Sequence, residues 1–250
     1  MKMVVIGGTG LVGSRTVDRL RRLGHDVVAA SPRSGVDTLN NKGLTEVLSG
    51  ASVVVDLVDS PSYQEDEVMR FFTTATGNLL AAEAEAGVKH HVALSIVGTE
   101  RLQDNAYFRA KLAQERLVLA SSTPHTVVHS TQFFEFLGRM ADAAVVDGKV
   151  RLSPALIQPI AVDDLADFIA SIAVAAPRNG TVEVAGPSPV PFDGIVRRYL
   201  AATGDPRNVV ADVHARYFGA EIDDSSLVPG DAAVLGATTF EQWLEQQKPA

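Results

Sequence analysis

The chain has 250 residues, 46% of them hydrophobic, with 30 acidic against 22 basic side chains, a net charge of −8 and no cysteine. That length and apolar content can build one large core unaided, and the absence of cysteine excludes disulfide frameworks, thiolate nucleophiles and thiolate metal sites. Basic residues cluster only at Arg21-Arg22 and Arg197-Arg198, which argues against a nucleic-acid surface, and no apolar run approaches the ~18 residues of a membrane span.

The opening MKMVVIGGTG is too short and glycine-rich for a signal peptide, so a soluble, cytoplasmic protein is expected. Short β-branched runs then alternate with longer helical patterns: MVVIG (3–7), LVGSRTVDRLRRLG (11–24), DVVAA (26–30), LTEVLSG (44–50) and SVVVDLV (52–58). A long helix is expected to open at SPSYQE, where Ser62 and Glu65 have capping-box spacing, and to end at Gly87. HHVALS (90–95) counts as a fifth strand, 106–121 as a helix, HTVVHS (125–130) as a strand and QFFEFLGRMADAAV (132–145) as a helix. Continuous apolar strands between amphipathic helices point to a Rossmann-type, doubly wound parallel sheet.

Past residue 150, KVRLS and IQPIAV look like short strands, DDLADFIASIAVAA (163–176) is helical and TVEVAG (181–186) is another strand. Three prolines in GPSPVPF (186–192) mark a change of character; a helix at 193–203 ends at Gly204, and TTFEQWLEQQ (238–247) closes the chain as a capped helix. The expected organisation is one domain, 1–250: a dinucleotide-binding core over 1–186, a small substrate-side lobe over 187–236, and a C-terminal helix over 237–250.

The loop GGTGLVG sets Gly7, Gly10 and Gly13 directly after a strand and at the start of a helix, with Thr9, Leu11 and Val12 between and beside them. Glycines there let the backbone approach a pyrophosphate, which then rests on the positive helix N-terminus. Enzymes that prefer NAD place an acid at the end of the second strand to accept from the ribose 2′-hydroxyl. Here that strand ends AASPRSG, with Arg33 between Ser31 and Ser34, and a guanidinium suits a 2′-phosphate; the pattern favours NADP over NAD. Leu57, Val58 and Ser60 would line the adenine side, flanked by Asp56 and Asp59.

Ser95 closes HHVALS, and ligands in open α/β sheets bind beyond the carboxyl ends of strands. Tyr107 and Lys111 follow at i and i+4 of the next helix, close enough to reach one volume. Phe108, Leu112 and Leu119 form an apolar stripe on that helix, and Tyr107, Lys111, Gln114 and Val118 should lie at the rim of the core. His129, at the next strand end, reads either as a cofactor-pocket residue or as a structural histidine. His90-His91 reads as a surface-to-core transition and not a metal site, Asp163-Asp164 as the acidic start of a helix, and Phe133, Phe134 and Phe136 as core, with one ring open to a substrate.

Together the glycine loop, Ser95, Tyr107-x-x-x-Lys111 and the strand–helix order resemble the short-chain dehydrogenase/reductases, specifically the atypical, NmrA-like NAD(P)-binding group. QFFEF (132–136), AVDDLA (161–166) and VAGP (184–187) extend the likeness to about residue 186; HST (129–131) lacks the Pro-Gly common at that strand end. The resemblance implies Tyr107 as general acid/base, Lys111 favouring the phenolate and holding the nicotinamide ribose, and Ser95 bonding a substrate carbonyl. It implies an NADP(H)-dependent oxidoreductase that interconverts a carbonyl and an alcohol on a small apolar molecule. The alternative is an NmrA-like dinucleotide sensor without turnover; a nucleotide-sugar epimerase or dehydratase is disfavoured because the late lobe looks too short. Nothing in these motifs sets the oligomeric state.

Overall fold

The computed structural model describes residues 1–247. In chain order its elements are β1 (Lys2–Ile6), α1 (Leu11–Arg22), β2 (Asp26–Ala30), α2 (Leu44–Leu48), β3 (Val53–Asp56), α3 (Glu65–Ala86), β4 (His90–Ile96), α4 (Ala106–Ala120) and β5 (His125–Ser130). There follow α5 (Leu137–Ala143), β6 (Val145–Val146), β7 (Lys149–Leu152), β8 (Leu156–Ile157), α6 (Val162–Val174), β9 (Gly180–Ala185), β10 (Val190–Pro191), α7 (Phe192–Thr203), β11 (Val209–Ala211), β12 (Val234–Leu235) and α8 (Phe240–Gln246). Residues 248–250, at the end of the expected C-terminal segment, lie outside the described residues.

The chain divides into two compact units, the first made of residues 1–95, 106–129 and 165–182. Its strands run in the order β9-β5-β4-β3-β1-β2, with parallel registers such as Lys2↔Asp26, Met3↔Val53 and Val53↔His90. Met3, Val4, Val5, Val54 and Val55 are fully buried, as both faces of a covered parallel sheet require. α1 is tied to α6 by Arg19 and Asp167 at 2.8 Å, while α3 packs on α2 and α4, so helices clothe both faces. This is the doubly wound Rossmann-type α/β fold. The chain steps from β1 outward to β2 and then returns to the other side as β3, which sets the switch point beyond Ile6 and Asp56.

The second unit comprises, among the described residues, 96–105, 130–164 and 183–247. β6 and β7 form a hairpin through Asp147 and Gly148, both at positive φ (50° and 72°), the requirement of a tight primed turn. β11 lies parallel to β7, β8 pairs with β10, and β12 runs parallel to the end of β9. α8 starts with Thr239 accepting from Gln242 N and returning the bond through Gln242, and its Phe240 and Trp243 rings pack on Phe134 at 5.6 Å.

Several expectations are corrected by tertiary structure. HHVALS is the fourth strand of the chain, not the fifth. α3 opens at Glu65 behind Gln64, because Ser62 Oγ accepts from Gln64 N instead of capping a helix of its own. The 132–145 segment is not one helix: Phe133 bridges Ile160, a short 3₁₀ turn follows over 134–136, and only Leu137–Ala143 is α-helical. Of IQPIAV, Ile157 alone belongs to a named strand. On α4, Leu119 is exposed, whereas Lys111, Gln114 and Val118 are buried; of the face expected at the rim, Tyr107 alone is half-buried. His90 and His91 are both inside the core.

Candidate functional site

Gly7 follows β1 with φ +75°, and a Cβ there would stand 2.6 Å from Leu57 O and 3.1 Å from Val58 N, so backbone at the ends of β1 and β3 touches directly. Its carbonyl accepts from Gly10 N at 2.9 Å. A Cβ on Gly13 would lie 2.1 Å from Gly7 O, which is why α1 can enter so close to the loop. Gly8, outside the expected seven-ten-thirteen spacing, is equally constrained: its Cβ would sit 2.7 Å from Val5 O and 2.8 Å from Ala29 Cα. Gly10 caps α1 without a side-chain bond, the first turn carries no acid, and Thr9, Gly10 and Leu11 are exposed while Val12 is buried. An uncapped, exposed helix start beyond a glycine turn offers backbone N–H groups to a phosphate, so these residues fit a dinucleotide.

At the end of β2, Ser31 Oγ is buried with no hydrogen-bond partner among the described residues. Arg33 is exposed on the 3₁₀ turn Pro32–Ser34. Ser34 is exposed as well, but its hydroxyl is engaged: it accepts from Ser31 N and donates to Ser31 O, both at 2.9 Å. The nearest following acid, Asp37, accepts from Leu39 N, Asn40 N and Asn40 Nδ2, and the Asn40 side chain leads the causes that hold its carboxyl below the usual range.

The strand ends and α4 hold the remaining candidates. Tyr107 donates to Asp59 Oδ1 at 2.8 Å, and Tyr63 donates to the other oxygen at 3.1 Å. The two tyrosine rings lie 5.5 Å apart, and the edge of Phe72 meets Tyr107 at 5.6 Å. Lys111, one turn on, donates to Leu94 O at 2.8 Å and to Gln114 Oε1, with its ammonium 4.5 Å from the centre of the Phe72 ring. Gln114 in turn donates to Asp56 Oδ2 at 3.1 Å. Burial pulls the Lys111 pKa down, against the opposing charges of Asp56, Asp59 and Glu115.

Ser95 donates to Glu115 Oε1, and the other oxygen of this buried carboxylate stands 3.1 Å from His129 Nε2, at ion-pair distance but not aligned as a hydrogen bond. Tyr107 is thus bonded to Asp59, Lys111 reaches Asp56 through Gln114 while also feeling Asp59 and Glu115, and Ser95 and His129 are brought together by Glu115. The Phe134 ring is core, and Phe136 pairs with Phe218 at 6.3 Å beneath the Arg139 guanidinium. Glu115 escaped notice in the sequence, although it continues the Tyr107, Lys111 series at the same spacing, and Gln114 was visible only as a member of the helix face. Asp59 was visible only as a flanking residue.

A sequence model of the NAD dependent epimerase/dehydratase family matches residues 3–163. No curated protein matches the chain. Among solved structures, MoeE5 in complex with UDP-glucuronic acid and NAD is similar at 22% identity over 99% of this chain and 97% of its own, with TM-score 0.74. The UDP-glucose 4-epimerase of Thermus thermophilus with NAD shares 15% identity over 85% of this chain and 86% of its own, with TM-score 0.69. The dTDP-4-dehydrorhamnose reductase of Bacillus anthracis str. Ames with NADP shares 15% identity over 84% of each chain, with TM-score 0.68. At these identities the likeness is one of fold. MoeE5 nevertheless removes the length argument against nucleotide sugars, since a chain of nearly the same extent is bound to one.

Proposed function

The chain belongs to the NAD-dependent epimerase/dehydratase family, and on that premise we propose that it is an NADP(H)-dependent oxidoreductase interconverting a carbonyl and an alcohol on a small organic substrate. The observation that carries the reading is the pairing of Tyr107 and buried Lys111 on one face of α4, in the same compact unit as the glycine turn and the strand-end Ser95. When bound, the nicotinamide supplies or takes a hydride. Tyr107 then gives or takes the proton at the substrate oxygen, and the nearby Lys111 charge steadies the phenol as it ionises. Ser95 bonds the same oxygen by turning its hydroxyl from Glu115. Arg33, exposed beyond β2 with Asp37 committed to its own turn, supports the preference for NADP over NAD.

A panel of aldehydes, ketones and nucleotide sugars, followed by NADPH absorbance, tests the proposal. Turnover is expected with at least one small carbonyl, and Tyr107→Phe should abolish it while leaving NADPH affinity nearly intact. Unchanged turnover in Tyr107→Phe would remove the tyrosine from the mechanism.

A second reading is an NmrA-like dinucleotide sensor without turnover. It draws on the fact that both proposed donors to a substrate, Tyr107 and Ser95, are already bonded to carboxylates. NADPH binding with silence across the whole panel would favour it.

A further inference from the structure

We infer that Asp59 acts through Tyr107 as its proton-relay partner, the carboxylate passing protons between the phenol and bulk water. The inference rests on the reading of Tyr107 as acid/base. Its basis is the shared carboxylate: Oδ1 accepts from Tyr107 at 2.8 Å and Oδ2 from Tyr63 at 3.1 Å, while Asp59 and Tyr63 are both exposed. One oxygen of the carboxylate thus meets the phenol and the other meets Tyr63, on a residue that is itself exposed. Ser60 N donates back to Asp59 Oδ1 at 2.8 Å, which fixes the carboxylate on its loop.

Lys111 is placed for a different task. The residue is 3% exposed, with its ammonium bonded to Leu94 O and Gln114 and held over the Phe72 ring, so it contributes charge and not a path to water. Around the phenol stand the Phe72 edge on α3 and Tyr63 and Asp59 on the loop before that helix, while the charges of Asp56, Asp59 and Glu115 act on the Lys111 ammonium.

A carboxylate that accepts the phenol's hydrogen bond favours the neutral phenol over the phenolate. Proton transfer is then coupled and not preceded by ionisation. In alcohol oxidation the substrate O–H bond would break and its proton join Tyr107 Oη as the phenolic proton moves to Asp59 Oδ1; a bound nicotinamide would supply the hydride acceptor that balances the oxidation. Asp59 afterwards releases its proton to water. Carbonyl reduction runs the same transfers backward, from water to Asp59 to Tyr107 to the substrate oxygen.

The first test needs no substrate. Tyrosine ionisation of the cofactor-free protein is followed by ultraviolet absorbance or ring carbon-13 resonances, with Tyr107→Phe assigning the Tyr107 signal. Asp59→Asn should lower the proton affinity of Tyr107 by roughly tenfold or more, as loss of an adjacent carboxylate charge requires. A Tyr107 titration unmoved by Asp59→Asn would overturn the relay. With a substrate from the carbonyl panel, Asp59→Asn should lower kcat about tenfold or more with KM little changed, and Asp59→Glu should restore much of it. If Tyr107→Phe is inactive and Asp59→Asn fully active, the relay alone falls; if Tyr107→Phe is active, the acid/base reading falls with it.

Discussion

Glu83 and His91 meet at 2.7 Å with neither side chain exposed to solvent. Burial pulls the imidazole down, but the carboxylate and its hydrogen bond carry His91 above its ordinary value, and burial likewise raises Glu83. The folded pair therefore holds its proton to higher pH than the unfolded chain does. That stabilisation is complete below the unfolded histidine value near ~6.5 and is lost as pH rises through the folded one, with a limiting slope of about 1.4 kcal/mol per pH unit per proton. Urea titrations at steps above neutrality should show falling stability, and Glu83→Gln should flatten the dependence; an equally steep slope in the variant would exclude the pair as its source.

His90, the residue before it, acts with the opposite sign. Burial, followed by the charges of His91 and His125, pushes it down to about 4, while its Nε2 stands 2.9 Å from Thr126 Oγ1. A histidine kept neutral in the fold contributes stability that is present above the unfolded value and lost as pH falls toward the folded one. Thermal melts should therefore fall between about pH 6.5 and 4, and His90→Gln should soften that acid limb while leaving the alkaline one in place. Two adjacent histidines would then bracket the stability optimum from either side.

Gly13→Ala tests the loop. The added methyl would begin 2.1 Å from Gly7 O and 2.8 Å from Gly8 Cα, both backbone, so no side-chain rotation relieves it. Overpacking of this kind costs about 1–3 kcal/mol, and the displaced helix start should weaken NADPH binding roughly tenfold or more. Chemical denaturation and fluorescence titration read the two effects separately, and wild-type affinity in a destabilised Gly13→Ala protein would dissociate the loop from the cofactor.

Arg33→Ala should erase a preference for NADPH over NADH. An exposed guanidinium facing a 2′-phosphate contributes through a charge-assisted bond worth about 1.5–3 kcal/mol, or roughly tenfold to a hundredfold in affinity. NADH affinity should hardly change. Equal affinities for the two dinucleotides in the unaltered protein would defeat the argument before the variant is made.

What could be foreseen depended on how local the cause was. The glycine turn was legible because Gly10 and Gly13 both meet Gly7 O within one loop after a strand; the limits on Gly7 and Gly8 also involve Leu57 and Ala29 from distant strands, and Gly8 was missed. The alternation of β1 through β5 was legible because β1 and β3 are apolar on both faces and β2, β4 and β5 keep adjacent apolar residues at their centres. α4 was misjudged for the opposite reason. Lys111 and Gln114 are buried because Leu94 and Asp56, 17 and 58 residues away from them respectively, satisfy their polar ends. Leu119 is exposed near the end of the helix although its spacing matches Phe108 and Leu112. The aromatic run at 132–136 has helical periodicity, yet Phe133 is drawn into a bridge with Ile160 that no local pattern announces.

The sealing of Lys111 has a use beyond chemistry. An ammonium so enclosed is silent to amine-directed reagents while the fold is closed, although lysines such as Lys42 and Lys149 lie open on the surface. Acylation of Lys111 therefore requires α4 to lift from the sheet. Its labelling rate becomes a clock for that opening, and ligands that bind the closed unit should slow it in proportion to their affinity.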